Sequence, residues 1–241
     1  FLPTQSYCGR IRGDALNMTA WICGNRFGRG LVRPGGVSYD IDARTADELR
    51  GRLDAFLRDA TSACRLLWGT PSVMSRFEGT GTLPLDTCLS IGMVGPAARA
   101  SGANMDVRRD HPYGLFRYAH IPICNWNTGD VFARAFVRWQ EIEMSCEFLR
   151  EQLAALPEGA PRKPPAALRP RHLAVSLTEA WRGEVCHVAV TDDAGRFAAY
   201  KVVDPSFHNW FGLACALRGQ QISDFPLCNK SFNLSYCGFD L

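Results

Sequence analysis

What the sequence lacks rules out the simplest functional readings. No stretch reaches the about twenty consecutive apolar residues that a membrane-spanning helix needs. Any membrane association would therefore run through partners. The ten cysteines (Cys8, Cys23, Cys64, Cys88, Cys124, Cys146, Cys186, Cys215, Cys228 and Cys237) include no C-x-x-C pair. The five histidines, His111, His120, His172, His187 and His208, show neither H-x-x-x-H nor H-E-x-x-H spacing, so no zinc site is legible. No G-x-S-x-G elbow is present. "GNRFGRG" carries glycines and arginines but matches neither the dinucleotide fingerprint nor the phosphate loop, and reads as a turn into "LVRPGGV". A net charge of +3 is too small to point to nucleic acid, and no basic run exceeds a linker. The start, "FLPTQSY", has neither the charged head nor the apolar run of a signal peptide. Beginning at Phe1, the chain reads as a piece of something longer.

What is present is ordinary globular composition. At 241 residues, 46% hydrophobic and 21% charged, the chain can bury a sizeable core as one large or two small domains. A core of that size needs no disulfides, and Cys146 and Cys186 fall at apolar periodic positions. The cysteines therefore read as free, small hydrophobes in a reduced, cytosolic protein.

Two helices stand out. In "TADELRGRLDAFLRDATSACRLLW", Thr45 and Glu48 form a capping box, and Leu49, Leu53, Phe56, Ala60, Cys64 and Leu67 recur at three and four. Residues 129–156 carry the longest apolar stripe: Val131, Ala135, Trp139, Ile142, Cys146, Leu149, Leu153 and Leu156. Thr128 is placed to cap this helix, and Pro157 and Gly159 to stop it. One such stripe belongs in a bundle, with Trp139 and Leu149 among its buried positions. Between the helices, residues 69–127 are rich in Gly, Pro and Asn without a period, a long irregular loop of the kind that is more often functional than idle. Residues 161–172 read as an exposed proline-rich linker. "LAVSL", "EVCHVAV" and "FAAYKVV" follow as strands, the last two joined by "TDDAG" as a hairpin, and 206–218 as a short helix ending near Gly219. The reading is an α+β fold: a helical-bundle core over 1–160, then a β-hairpin, short helix and tail over 173–241.

Four blocks, spread in order over most of the chain, carry a resemblance that periodicity does not. They are "GNRFGRGLVRPGGV" (24–37), "VGPAARASGANMDVRRDHPYGLF" (94–116), "GDVFARAFVRWQEIEMSCEFLREQLAALPEG" (129–159) and "EAWRGEVCHVAVTDDAGRFAAYKVVDPSFHNW" (179–210). Together they resemble the large subunit of membrane-bound, energy-converting nickel–iron hydrogenases of the formate hydrogenlyase type. They also resemble its relative, the quinone-site large subunit of respiratory complex I (NADH dehydrogenase).

The resemblance implies a helical-bundle core with a small β-rich appendage. As partners it implies a small subunit carrying an iron–sulfur cluster and the membrane arm of an ion-pumping complex, with quinone in some members and no nucleic acid. It places the chain in the cytoplasm, peripheral at the inner face of the cell membrane through its partners. NAD and quinone binding belong to the host complex; the histidine and tyrosine that bind quinone in complex I come from an upstream segment. In active hydrogenases two C-x-x-C pairs hold the metals, and thiolates suit these soft ions. Here Ser235 and Gly238 stand where the C-terminal pair would lie, with Cys237 one residue off register. No metal or cofactor is therefore expected in this chain, and the site reads as vestigial.

By the same resemblance, Arg182 matches an arginine that hangs over the metal site, although Trp181 stands where proline is usual. Arg182 equally reads as an arginine in a tight turn before a strand. Arg99, Asp106 and Arg108 match a buried charged network near the cluster interface, or a purely structural salt-bridge network. Arg33, Pro34, Gly35 and Gly36 match a cavity-lining loop, which is also a glycine turn. The stretch 69–127 and the C-terminal segment are expected to cover the iron–sulfur subunit. The resulting expectation is a subunit forming, with that partner, the cavity where electron transfer couples to ion translocation, and not catalytic alone. A working nickel–iron hydrogenase with Cys237 recruited as a ligand, and a non-catalytic scaffold, are the alternatives.

Overall fold

A computed structural model describes residues 1–240. In chain order the elements are α1 (Leu2–Cys23), β1 (Val32–Arg33), β2 (Gly36–Val37), α2 (Ala43–Trp68), α3 (Pro71–Phe77), α4 (Leu85–Ser90), α5 (Gly95–Arg99) and α6 (Val107–Asp110). A 3-10 turn (Gly114–Tyr118), α7 (Val131–Ala154), β3 (Leu173–Ala180), β4 (Gly183–Thr191) and β5 (Phe197–Val203) follow. The chain then forms α8 (Pro205–Ala216), a 3-10 turn (Ile222–Asp224), α9 (Phe225–Phe232) and α10 (Tyr236–Phe239). This is the α+β arrangement the sequence predicts, mostly helical with a three-stranded antiparallel sheet and a two-stranded hairpin. It divides into two compact units, Phe1–Val73 with Ile142–Ala167, and Met74–Glu141 with residues from Leu168 onward.

In the first unit α1 and α2 run antiparallel. Thr4 donates to the Ala63 carbonyl, Arg10 pairs with Asp59, and Arg52 lies 4.4 Å over the Trp21 ring. Ala46, Leu49, Leu53, Ala60 and Ala63 form the buried stripe of α2. Its cap differs from the expected one. Asp42 accepts from the Thr45 N–H at 2.8 Å, which puts Thr45 inside the first turn, and Glu48 pairs instead with Arg52. Ala43 and Arg44 are good helix formers, so the helix extends back to the first strong acceptor.

The long helix α7 is continuous, as its stripe requires. Its start is capped by Asp130, which accepts from the Ala133 N–H at 2.8 Å, while Thr128 donates to the same carboxylate at 2.9 Å. Thr128 lies too early because Gly129 turns with φ +65° between the two. Trp139 is buried, but Leu149, expected in the core, is 45% exposed, and Ile142 and Leu156 are exposed too. A sequence stripe marks a face that can be buried; here Cys146 is buried and Leu153 half-buried, while Ile142, Leu149 and Leu156 are left exposed.

The second unit holds the core: Leu83, Cys88, Met93, Ala97, Ala98, Ala103, Val131, Leu213, Ala216, Cys228, Phe232 and Leu234. Much of it comes from the stretch expected to be a long irregular loop, which carries α3 to α6. Helices of four to seven residues complete too few turns to show a period. The sheet order is β3-β4-β5, with Ala180 opposite Gly183 and Cys186 opposite Val203. In the "TDDAG" turn Asp192 accepts from the Ala194 and Arg196 N–H groups. Asp204 then caps α8.

One glycine contact sets the geometry of the site. At Gly95 (φ +67°) a side-chain carbon would lie 2.3 Å from the Gly183 Cα and 2.4 Å from the Arg182 carbonyl oxygen. Only two glycines let the start of α5 close onto the β3–β4 turn. All ten cysteines are free. Among the described residues no helix is long and apolar enough to cross a membrane.

The two halves of α7 should respond differently to truncation. Trp139→Ala is expected to cost about 3–5 kcal/mol in urea unfolding, whereas Leu149→Ala should stay within about 0.5 kcal/mol of the parent.

Candidate functional site: a buried arginine–carboxylate network and a reworked tail

Arg99 ends α5 and is 2% exposed. A guanidinium that deep must be paired. Its Nη1 donates to Glu179 Oε1 at 3.0 Å and to the Met105 carbonyl at 3.1 Å; its Nη2 donates to Glu141 Oε1 at 2.5 Å. Asp106 lies 3.6 Å from Nη1 and is gripped in turn by Arg108, through Nε at 2.9 Å and Nη2 at 2.6 Å. Asp106 also caps α6 by accepting from the Arg108 N–H. The structure thus brings Arg99, Asp106 and Arg108 together, and adds Glu141 from α7 and Glu179 from β3. Neither glutamate is singled out by its spacing. The one available signal was that a buried arginine requires carboxylates, and "EAWRGE" and "RWQEIE" supply them.

The acids do not behave alike. Burial pushes Asp106 up, but the Arg108 hydrogen bonds and the Arg108 and Arg99 charges outweigh it and hold its carboxyl below the usual range. At Glu179 burial wins: the nearby Arg99 charge pulls down, Asp106 pushes up, and the net direction is raised.

Arg182, at the β3–β4 turn, uses Nε to donate to the Asn233 carbonyl, and its guanidinium lies 4.7 Å over the Trp181 ring. Two arginines that sequence reasoning missed act beside it. Arg138 donates to the Phe232 carbonyl at 3.0 Å. Arg134 donates to Ser231 Oγ, Gly129 O and Gly81 O, and stacks 4.3 Å from the Phe232 ring. Burial lowers both, Arg134 to about 9 and Arg138 to about 10. Their four-residue spacing on α7 was the available sign. Together they bind the C-terminal end of α9, where unpaired carbonyls and the helix dipole favour cations.

The tail after α9 tests whether half of a nickel–iron site fits. Ser235 caps α10: its Oγ accepts from the Gly238 N–H at 2.9 Å, and its own N–H donates to Ser206 Oγ at 2.9 Å. A carbon added at Gly238 would meet the Asp204 carboxylate at 2.6–2.9 Å. Cys237 is exposed, and Cys228 is buried beside Gly81, apart from the tail's surface. Among the described residues no three His, Cys, Asp or Glu side chains converge as a metal site would need. The donors present here do not fit a thiolate-held metal.

Arg33, Pro34, Gly35 and Gly36 lie in the first unit, in the β1–β2 hairpin. Val37 N–H donates to the Pro161 carbonyl at 3.0 Å, and Lys163 N–H to the Gly35 carbonyl at 2.9 Å. Side-chain carbons at Gly35 and Gly36 would lie 1.9 and 2.2 Å from the Lys163 and Pro161 oxygens. These glycines admit the proline-rich segment's backbone, while Arg33 stays exposed.

The Asp106 carboxylate should show in acid unfolding. Its pKa is lowered on folding, so its contribution is full above the unfolded value of about 3.9 and is lost as pH falls through the folded one. Asp106→Asn, which leaves buried arginines uncompensated, should cost about 3–5 kcal/mol at pH 7. Urea titrations should show that gap narrowing once the parent's own Asp106 is protonated.

Comparison with known proteins gives the family. The profile described as "Respiratory-chain NADH dehydrogenase, 49 Kd subunit" matches residues 2–171. The carbon monoxide-induced hydrogenase of Rhodospirillum rubrum is 35% identical over 215 residues, covering 88% of this chain and 59% of the relative. NADH-quinone oxidoreductase subunit 4 of Thermus thermophilus is 29% identical over 245 residues, covering 90% and 60%. Formate hydrogenlyase subunit 5 of Escherichia coli is 27% identical over 227 residues, covering 94% and 40%. The chain thus spans about three fifths of the length of the first two. Among solved structures, the membrane-bound sulfane sulfur reductase, an archaeal respiratory membrane complex, contains a chain that superposes with a TM-score of 0.88 at 24% identity, covering 98% of this chain and 66% of that one, which shows a shared fold. Matched over residues 2–171, this chain belongs to the family of the respiratory-chain NADH dehydrogenase 49 kDa subunit.

Proposed function

We propose that this chain is part of the large subunit of a membrane-associated, energy-converting redox complex. With an iron–sulfur small subunit it forms the cavity where electrons leave the cluster and drive ion translocation, and it holds no nickel–iron centre itself. It sits at the inner face of the cell membrane through its partners, and quinone is a candidate partner of the complex. Family membership supports the large-subunit role. The observation that carries the loss of metal is the tail: Ser235 is committed to capping α10, and Gly238 is packed against Asp204. A partner is supported by exposed aromatics on α8 and α10. Phe207 and Phe239 stack at 5.7 Å beside Trp210 and Tyr236, and Phe207, Phe211 and Tyr236 are each more than half exposed.

The rival reading is an active hydrogenase, favoured by the name of the 35% identical relative. Metal analysis of the protein purified from its host separates the two. The proposal expects far less than one nickel per chain and copurification with a cluster-bearing subunit. Stoichiometric nickel would establish the rival, and purification without any cluster-bearing partner would leave only a scaffold.

The geometry of the tail makes a further prediction. Gly238→Cys should destabilise by about 1–3 kcal/mol through overpacking against Asp204. In an Asp204→Ala background, which removes the obstructing carboxylate, the added cost of Gly238→Cys should fall. Equal costs in both backgrounds, measured by urea unfolding, would count against this packing.

A further inference from the structure

A cavity of about 130 Å³ in the second unit is lined by Asp106, Asp110, His111, Glu179 and Glu184, together with apolar groups including Val94. It is polar and large enough to hold water, which needs such partners. Among its lining residues, Glu179 belongs to the buried network, its side chain 6% exposed against Arg99. Asp110 and His111 are exposed. The strand register places Glu184 of β4 directly opposite Glu179 of β3.

We propose that Glu179 is a buried proton-accepting site, reached from solvent through this cavity with His111 at its mouth. The step is a proton transfer alone. A solvent proton passes by His111 and cavity water to the Glu179 carboxylate, which becomes neutral, and no electron moves. Arg99 Nη1 already holds Oε1, so the proton is assigned to Oε2.

The charges facing Glu179 from each neighbouring element explain why this carboxylate takes the proton. Among the described residues Arg99 of α5 is the one cation in an ion pair with it, and that guanidinium is shared with Glu141 of α7 and Asp106. Arg108 of α6 is committed to Asp106 by two hydrogen bonds, and the half-buried Arg138 of α7 lies toward Glu141. Asp110 pairs with Arg109 and accepts from the Asp106 N–H. Glu184 faces it across the strands, and Tyr113 lies beside its backbone. Three carboxylates therefore converge on one guanidinium, and like charges that close favour protonating one of them. Burial acts in the same direction on Glu179. Asp106, with Arg108 as its own partner, is the member that stays ionised.

The inference rests on this network alone and not on the proposed role in a redox complex, so its test needs only the purified chain. Carbon-13 labelling of glutamate side chains, followed by a pH titration, reads each carboxyl directly. A carboxyl titrating above the ordinary glutamate range is expected, and it should vanish in Glu179→Gln but persist in Glu184→Gln and Glu141→Gln. If Glu179→Gln does not fold, Glu179→Asp, which keeps a carboxylate for Arg99 but removes the glutamate signal, assigns it instead. His111→Ala and Met105→Trp, the second filling the cavity, should slow exchange of that carboxyl proton with solvent several-fold. No raised carboxyl, its loss with Glu184 or Glu141 instead, or unchanged exchange in both cavity variants would each overturn the proposal.

Discussion

The second unit is organised around the burial of one guanidinium. Arg99 sits in the interior with almost no contact with water, a position that costs many kilocalories per mole unless opposite charge and hydrogen-bond acceptors surround it. Those groups come from three places far apart in sequence: the Met105–Asp106 segment, Glu141 on α7 and Glu179 on β3. Each must arrive at ion-pairing or hydrogen-bonding distance, so the network fixes the relation of α5 to the sheet and to the Glu141 turn of α7. The Gly95–Gly183 approach is the steric side of the same constraint, because any side chain there would hold α5 away from the strand that carries Glu179.

A second set of arginines does comparable work at the tail. Arg134, Arg138 and Arg182 end on Ser231, Phe232 and Asn233, around the C-terminus of α9. The carbonyls at a helix end lack intrahelical partners, and cations there satisfy them while meeting the negative end of the dipole. Asn233 can then turn left-handed, and Ser235 starts α10. In the proposed reading, positions that hold metal in hydrogenase relatives serve helix capping and close packing here. The surrounding arginines hold the segment through Ser231, Phe232 and Asn233.

Both arrangements place charge in low dielectric, and their internal asymmetry gives them chemical potential beyond stability. Where an acid has a dedicated guanidinium, as Asp106 has Arg108, ionisation is favoured despite burial. Where acids share one, as Glu179 and Glu141 share Arg99, burial prevails at the more enclosed of them. That contrast arises within one cluster of side chains, from burial acting on both acids and from how many guanidinium contacts oppose it at each.

The sequence by itself determined the elements whose signal is local. The stripe over 129–156, the helix before Gly69 and the hairpin around "TDDAG" follow from periodicity and turn chemistry within one window, and the structure has them with ends moved by a few residues. The caps moved because a carboxylate acceptor, Asp42 or Asp130, lay near the hydroxyl that the spacing favoured. The short helices between 69 and 127 were hidden because they are shorter than the windows that reveal a period. Arg99, Asp106 and Arg108 could be named from a family resemblance, but Glu141 and Glu179 could not. Arg99 bonds Glu179 across 80 positions of sequence, and nothing local distinguishes that glutamate from a solvated one. Which side of α7 is covered, which carboxylate meets which guanidinium, and whether position 238 has room for a thiol depend on long-range packing. Only the tertiary structure decides them.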